Sequence, residues 1–155
     1  MDKAALTEAM KTSISEVLEQ MFFMPIEITA PANTGAHPEP DPATIVAKLE
    51  FSGSACGTFF LLIPASLAQS VTADFLGVTS QDQARKLVAG TVLEMVNMLA
   101  GSTLSAYDRQ GLFDLQIPEL ITVKDLPPLT EVAANQALIR IQTPESRMTF
   151  QAVWQ

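Results

Sequence analysis

Gly90-Thr91-Val92-Leu93-Glu94-Met95-Val96-Asn97-Met98-Leu99-Ala100-Gly101 reads as the middle of one long helix, running from about Gln81 to Asp108. On a helical wheel Val88, Val92, Val96, Leu99 and Thr103 share one side, flanked by Ala89, Met95 and Ala100, and this is the expected buried stripe. The opposite line carries Gln83, Gly90, Glu94, Asn97, Gly101 and Ser105, with Leu87 and Met98 beside it. A three-residue spacing puts the carboxylate of Glu94 and the carboxamide of Asn97 on the same face, where both can reach one partner. Each glycine inside a helix costs about 1 kcal/mol relative to alanine. Gly90 and Gly101 therefore point to a surface that something approaches closely at the backbone.

Outward from this helix, Ser80 and Gln83 have the spacing of a capping box at its start. Before it, Pro64 fits the first turn of a shorter helix that holds Leu67, Val71, Phe75 and Leu76 at helical spacing and stops at Gly77. Further back, residues 43–51 and 58–63 read as two strands joined by a small-residue turn containing Gly53 and Gly57. At the start of the chain, Leu6, Met10, Ile14, Val17, Leu18 and Met21 recur at threes and fours as an amphipathic helix. Phe22-Phe23-Met24-Pro25 ends it, and residues 26–30 alternate as a short strand. The segment 31–42, with four prolines and His37, reads as a loop.

Beyond the long helix, residues 113–123 read as a strand that Pro118 restricts to a sheet edge or a bulge. Residues 136–143 and 147–154 alternate apolar and polar around Pro144-Glu145-Ser146 and form a closing hairpin. The resulting expectation is an α+β fold, about three helices packed on a largely antiparallel sheet of about six strands, with residues 1–155 as a single domain.

Composition narrows the function. A net charge of -8 and only nine Lys and Arg, scattered along the chain, argue against nucleic acid. Cys56 is the one cysteine, so no intrachain disulfide can form, and His37 has no neighbouring metal ligand. Cys56 and Trp154 are expected to pack and His37 to be solvated. The amino terminus lacks the apolar run of a secretory signal and no segment reads as a membrane span, so a cytoplasmic protein is expected. No phosphate-binding glycine loop, zinc cluster or nucleophile elbow is present.

The stretch Gly90 to Gly101, preceded by a helix ending in Phe75-Leu76-Gly77, resembles the CheX, CheC and FliY family of chemotaxis phosphatases, and the Met21 to Pro25 sequence after an amphipathic helix fits the same family. The likeness covers almost the whole chain and is closest to CheX. One Glu-x-x-Asn is present, because the first helix offers only Glu8 with Lys11 and Glu16 with Glu19. The family pattern often has Asp or Ser where this chain has Gly90, and a proline some 22 residues beyond the Asn, whereas Pro118 stands 21 residues after Asn97, with 20 between them.

The resemblance implies a phosphatase acting on the phosphoaspartate of a CheY-type receiver. Asn97 would position the attacking water, and Glu94 would pair with a receiver lysine. Gly90, Met98 and Gly101, with Leu87, would contact the receiver. No cofactor is expected of the chain itself, since the receiver brings its own Mg²⁺, and relatives imply a homodimer joined through the strands 136–154. Two alternatives stay open: a non-catalytic module that binds a receiver or flagellar-switch protein, and a small-molecule domain, for which no polar pocket is legible in the sequence.

Overall fold

The computed structural model describes residues 1–29, 43–128 and 133–155. Its helices are α1 (Lys3–Ile14), α2 (Ala65–Leu76) and α3 (Gln81–Tyr107). The strands are β1 (Glu27–Thr29), β2 (Thr44–Gly53), β3 (Gly57–Pro64), β4 (Phe113–Leu115), β5 (Glu119–Ile121), β6 (Gln136–Gln142) and β7 (Arg147–Trp154). They make one seven-stranded antiparallel sheet in the order β1-β6-β7-β3-β2, with β4 and β5 both on the outer side of β2. The α+β class and the helices match the expectation. The sheet has seven strands rather than about six because the segment around Pro118 forms two.

Pro118 splits that segment as its missing N–H requires. Leu115 pairs with Phe51 and Glu119 with Lys48, so three residues, Gln116 to Pro118, oppose two, Leu49 and Glu50. This is a one-residue bulge at an edge. The Gln116 amide bridges it by donating to the Glu50 carbonyl at 2.9 Å. On the neighbouring strand the Lys48 ammonium sits 2.6 Å from Glu50 and 3.2 Å from Glu119, and these hydrogen bonds raise its pKa above the usual lysine value.

Alternation along the strands separates the two faces. Ala47, Leu49, Phe51, Phe59, Leu61, Ile63, Ile139, Ile141, Met148 and Phe150 point to the helices and form the main core. Phe59 and Phe150 stack across β3 and β7 at 5.3 Å. Val46, Phe60 and Leu62 point the other way, into a smaller cluster with Ile121, Val123 and Leu126. The apolar run of β3 is continuous because both of its faces are covered.

Three details differ from expectation at the helix ends. The first helix changes to π-helical winding over Ser15–Met21 before it stops, and Phe23 adopts a left-handed conformation at φ 51°. Phe22 anchors that end by packing on Phe75 of α2 at 4.5 Å. Pro64 caps α2 from outside its first turn, while Gly77 closes the helix in the left-handed conformation at φ 65°, as expected. The first short strand is described over Glu27–Thr29; residue 30 and the expected loop with His37 lie outside the described residues. Cys56 is exposed rather than packed, in the turn between β2 and β3, whereas Trp154 is buried.

α3 is the central element, packed by α1, by α2 and by the sheet. By length and composition it could cross a membrane, contrary to the sequence expectation that no segment would. Here its apolar stripe is the middle of the core. Burying a Val or Leu side chain is worth about 1.5–3 kcal/mol, so ten buried side chains on α3 outweigh its two internal glycines. At the crossing with α1 the Ser13 hydroxyl donates to the Leu99 carbonyl at 2.9 Å in a buried setting.

Candidate functional site

The site lies on the side of α3 turned away from this core. Ser80 starts the helix, its hydroxyl accepting from the Gln83 amide at 3.4 Å. Val88, Val92, Met95, Val96, Leu99 and Thr103 are buried as expected. Ala89 is the exception: it is exposed, because at this end of the helix the covered strip is narrower than the wheel implies.

With Met95, Val96 and Leu99 fully buried, rotational phase alone turns Glu94 and Asn97 outward. Glu94 is exposed and Asn97 half-buried. Neither side chain hydrogen-bonds to another described residue, so a carboxylate and a carboxamide stand one turn apart with their bonding capacity uncommitted. Such uncommitted groups are satisfied by water or by a partner.

The surroundings differ along the face. A Cβ at Gly90 would meet no atom within 4 Å, and one at Gly101 only the Leu115 Cδ1 at 3.7 Å. No described residue therefore requires a glycine at either position. Met98 is half-buried and Leu87, two turns before Glu94, is 44% exposed. On the flank toward α1, Ser102 donates to the Glu16 carboxylate at 3.3 Å. All the residues expected at the site thus share one surface of one helix. Lys86 joins them: it is exposed, and its eleven-residue spacing from Asn97 is the signal in the sequence that places it on the same line.

An acid and an amide can accept and donate hydrogen bonds and can attract a cation. They supply neither a nucleophile activated by a base nor a ligand set for a metal, and no three His, Cys, Asp or Glu converge among the described residues. A polar groove of about 440 Å³, lined by Ser66, Gln69, Ser70, Asp74, Thr79 and Ser80, opens between α2 and the start of α3. The sequence did not make this groove legible. It shares no residue with the Glu94 and Asn97 surface.

The family described as "Chemotaxis phosphatase CheX" matches residues 45–142. Among solved structures the chain is similar to CheX in the CheX–CheY–BeF₃–Mg²⁺ complex from Borrelia burgdorferi, at 17% identity and TM-score 0.75 over 96% of both chains. It is similar to the chemotaxis protein CheX from Desulfovibrio desulfuricans at 19% identity and TM-score 0.75, over 97% of this chain and 99% of that one. A CheC-like superfamily protein from Shewanella sp. PV-4 superposes with TM-score 0.78 at 15% identity, over 100% and 99%. No curated protein matches in sequence.

Proposed function

The chain belongs to the CheX family of chemotaxis phosphatases, and from that premise we propose that it hydrolyses the phosphoaspartate of a CheY-type receiver, with Asn97 orienting the water and Glu94 fixing the docked receiver. The observation that carries this reading is the outward, uncommitted pair on α3.

The chemistry asks for little more. An acyl phosphate is already activated, so acceleration comes mainly from holding a water in line with the bond to be broken. The Asn97 carbonyl oxygen accepts a hydrogen bond from that water, and its NH₂ can donate to a phosphoryl oxygen. The water oxygen bonds to phosphorus as the bond from phosphorus to the aspartyl oxygen breaks, releasing phosphate and restoring the receiver carboxylate. An amide has no accessible pKa and so acts here by position rather than as a base. Mg²⁺ would come with the receiver, where it neutralises phosphoryl charge; this chain's surface, with one acid and one amide, fits a partner that brings its own metal.

Glu94 pairs with a cationic group of the receiver, a charge-assisted contact worth about 1.5–3 kcal/mol. Gly90 and Gly101 let the receiver backbone come down on the helix, while Met98 and Leu87 give it apolar contact. The protein acts in the cytoplasm, where its receiver is, as a homodimer with one site per chain.

The test is the lifetime of a phosphorylated receiver. Asn97→Ala abolishes the accelerated loss of phosphate and leaves thermal unfolding unchanged, because the side chain supports no other residue. A variant that keeps the parent rate overturns the mechanism. Parent protein that binds phosphorylated receiver without shortening its lifetime is instead an adaptor on the same surface.

A further inference from the structure

We infer that Lys86 is a steering cation for the receiver, placed at the margin of the docking surface and offsetting, where the partner arrives, the negative charge of the rest of the molecule. The inference deepens the function proposed above and rests on its docking surface.

Lys86 and Asn97 are eleven residues apart on the unbroken helix α3, which places them within about 20° of one another and about 17 Å apart along the axis. Gly90 lies between them with no atom within 4 Å of where a Cβ would be, so no described residue covers the helix at that point of the line from Lys86 to Asn97. A partner footprint of ordinary size, about 800 Å², has a radius of about 16 Å, so one centred on Asn97 has its edge at Lys86.

The charges on this helix differ in their commitments. Arg85 lies 3.8 Å from Asp82. It sits about 120° around the helix from Asn97, off the surface. Lys86 is exposed and has no ion pair among the described residues. Elsewhere Lys48 is held by Glu50 and Glu119, and Lys11 by Glu8.

The partner's chemistry makes a cation useful there. The phosphoryl group of the target is an anion that one Mg²⁺ screens only in part, and a protein of net charge -8 opposes its approach. A charge at the rim of an interface acts mainly on the association rate and its salt dependence, with little effect on the chemical step.

The test compares Lys86→Glu with Arg85→Glu in the full chain. Both change net charge equally, one on the surface and one off it. With phosphorylated receiver at low salt, Lys86→Glu lowers kcat/KM about tenfold through KM, with kcat unchanged, and Arg85→Glu stays within about twofold. The Lys86→Glu deficit shrinks as salt shortens the Debye length toward about 3 Å. Equal effects of the two variants, a fall in kcat, or a deficit that salt does not touch each overturn the inference. Titration with beryllofluoride-activated receiver and Mg²⁺ separates this result from the catalytic one. If the parent binds but does not hydrolyse, the phosphatase reading fails, and weaker binding by Lys86→Glu alone still supports the steering role. Unchanged binding refutes it, and a parent that binds no receiver refutes both.

Discussion

At the residue scale, the proposed function divides binding from chemistry between Glu94 and Asn97, and the division is measurable. Glu94→Gln keeps shape and removes charge, so the loss of a contact worth about 1.5–3 kcal/mol raises KM by about ten- to a hundredfold while kcat holds. Asn97→Ala removes turnover with KM little changed. Steady-state kinetics with phosphorylated receiver gives both numbers, and a kcat loss in Glu94→Gln equal to that in Asn97→Ala would show that the roles are shared. Gly90 offers a second separation. Its backbone is helical and its surroundings open, so Gly90→Ala stabilises the free protein by about 0.5–1 kcal/mol in denaturant unfolding. On the proposed docking surface the same methyl group would stand where the receiver approaches, and the expected result is a fall in affinity. Gain of stability with unchanged receiver affinity would mean that the glycine has nothing to do with docking.

At the scale of elements, the position of α3 depends on how α1 crosses it. The Ser13 hydroxyl and the Leu99 carbonyl meet in a fully buried setting, two residues beyond Asn97. Ser13→Ala leaves that carbonyl with its helical bond alone and costs about 1 kcal/mol, a fall in Tm of about 2–4 °C for a chain of this size. A variant that melts with the parent would show that packing alone sets the crossing. The same element explains what the sequence made legible. α3 was readable because Val88, Val92, Met95, Val96 and Leu99 share one side on which to be buried, and the phase of the pair followed. Pro118 likewise announced an edge or a bulge, since a residue without an N–H has few places in a sheet, and the structure has both. The π-helical end of the first helix was not readable, because one extra residue in a turn leaves apolar spacings of three and four almost unchanged. Nor was the exposure of Ala89 or Cys56: a small side chain adds too little to any periodicity to reveal which way it faces.

At the scale of the molecule, sheet order decides how two copies could join. The strands of residues 136–154 read alike in the sequence, and both served as possible edges. The structure assigns β7 to the interior, between β6 and β3, so it has no edge to offer. β6 has one in part: β1 pairs only with Arg140 to Gln142, and no described strand pairs with residues Gln136 to Ile139 on that side. The opposite margin, β4 and β5, is made of two three-residue strands broken by a bulge and a proline, the features by which natural sheets resist pairing. A homodimer formed by joining sheets therefore uses the β1 and β6 margin and leaves β4, β5 and the outer surface of α3 open to a receiver on each copy. Light scattering at working concentration gives a mass of twice 16.7 kDa, and amide hydrogen exchange slows in Gln136 to Ile139 on association. A mass of 16.7 kDa, or slowing confined to β4 and β5, rejects this arrangement, since the second case would place the partner copy beside the surface that the receiver needs.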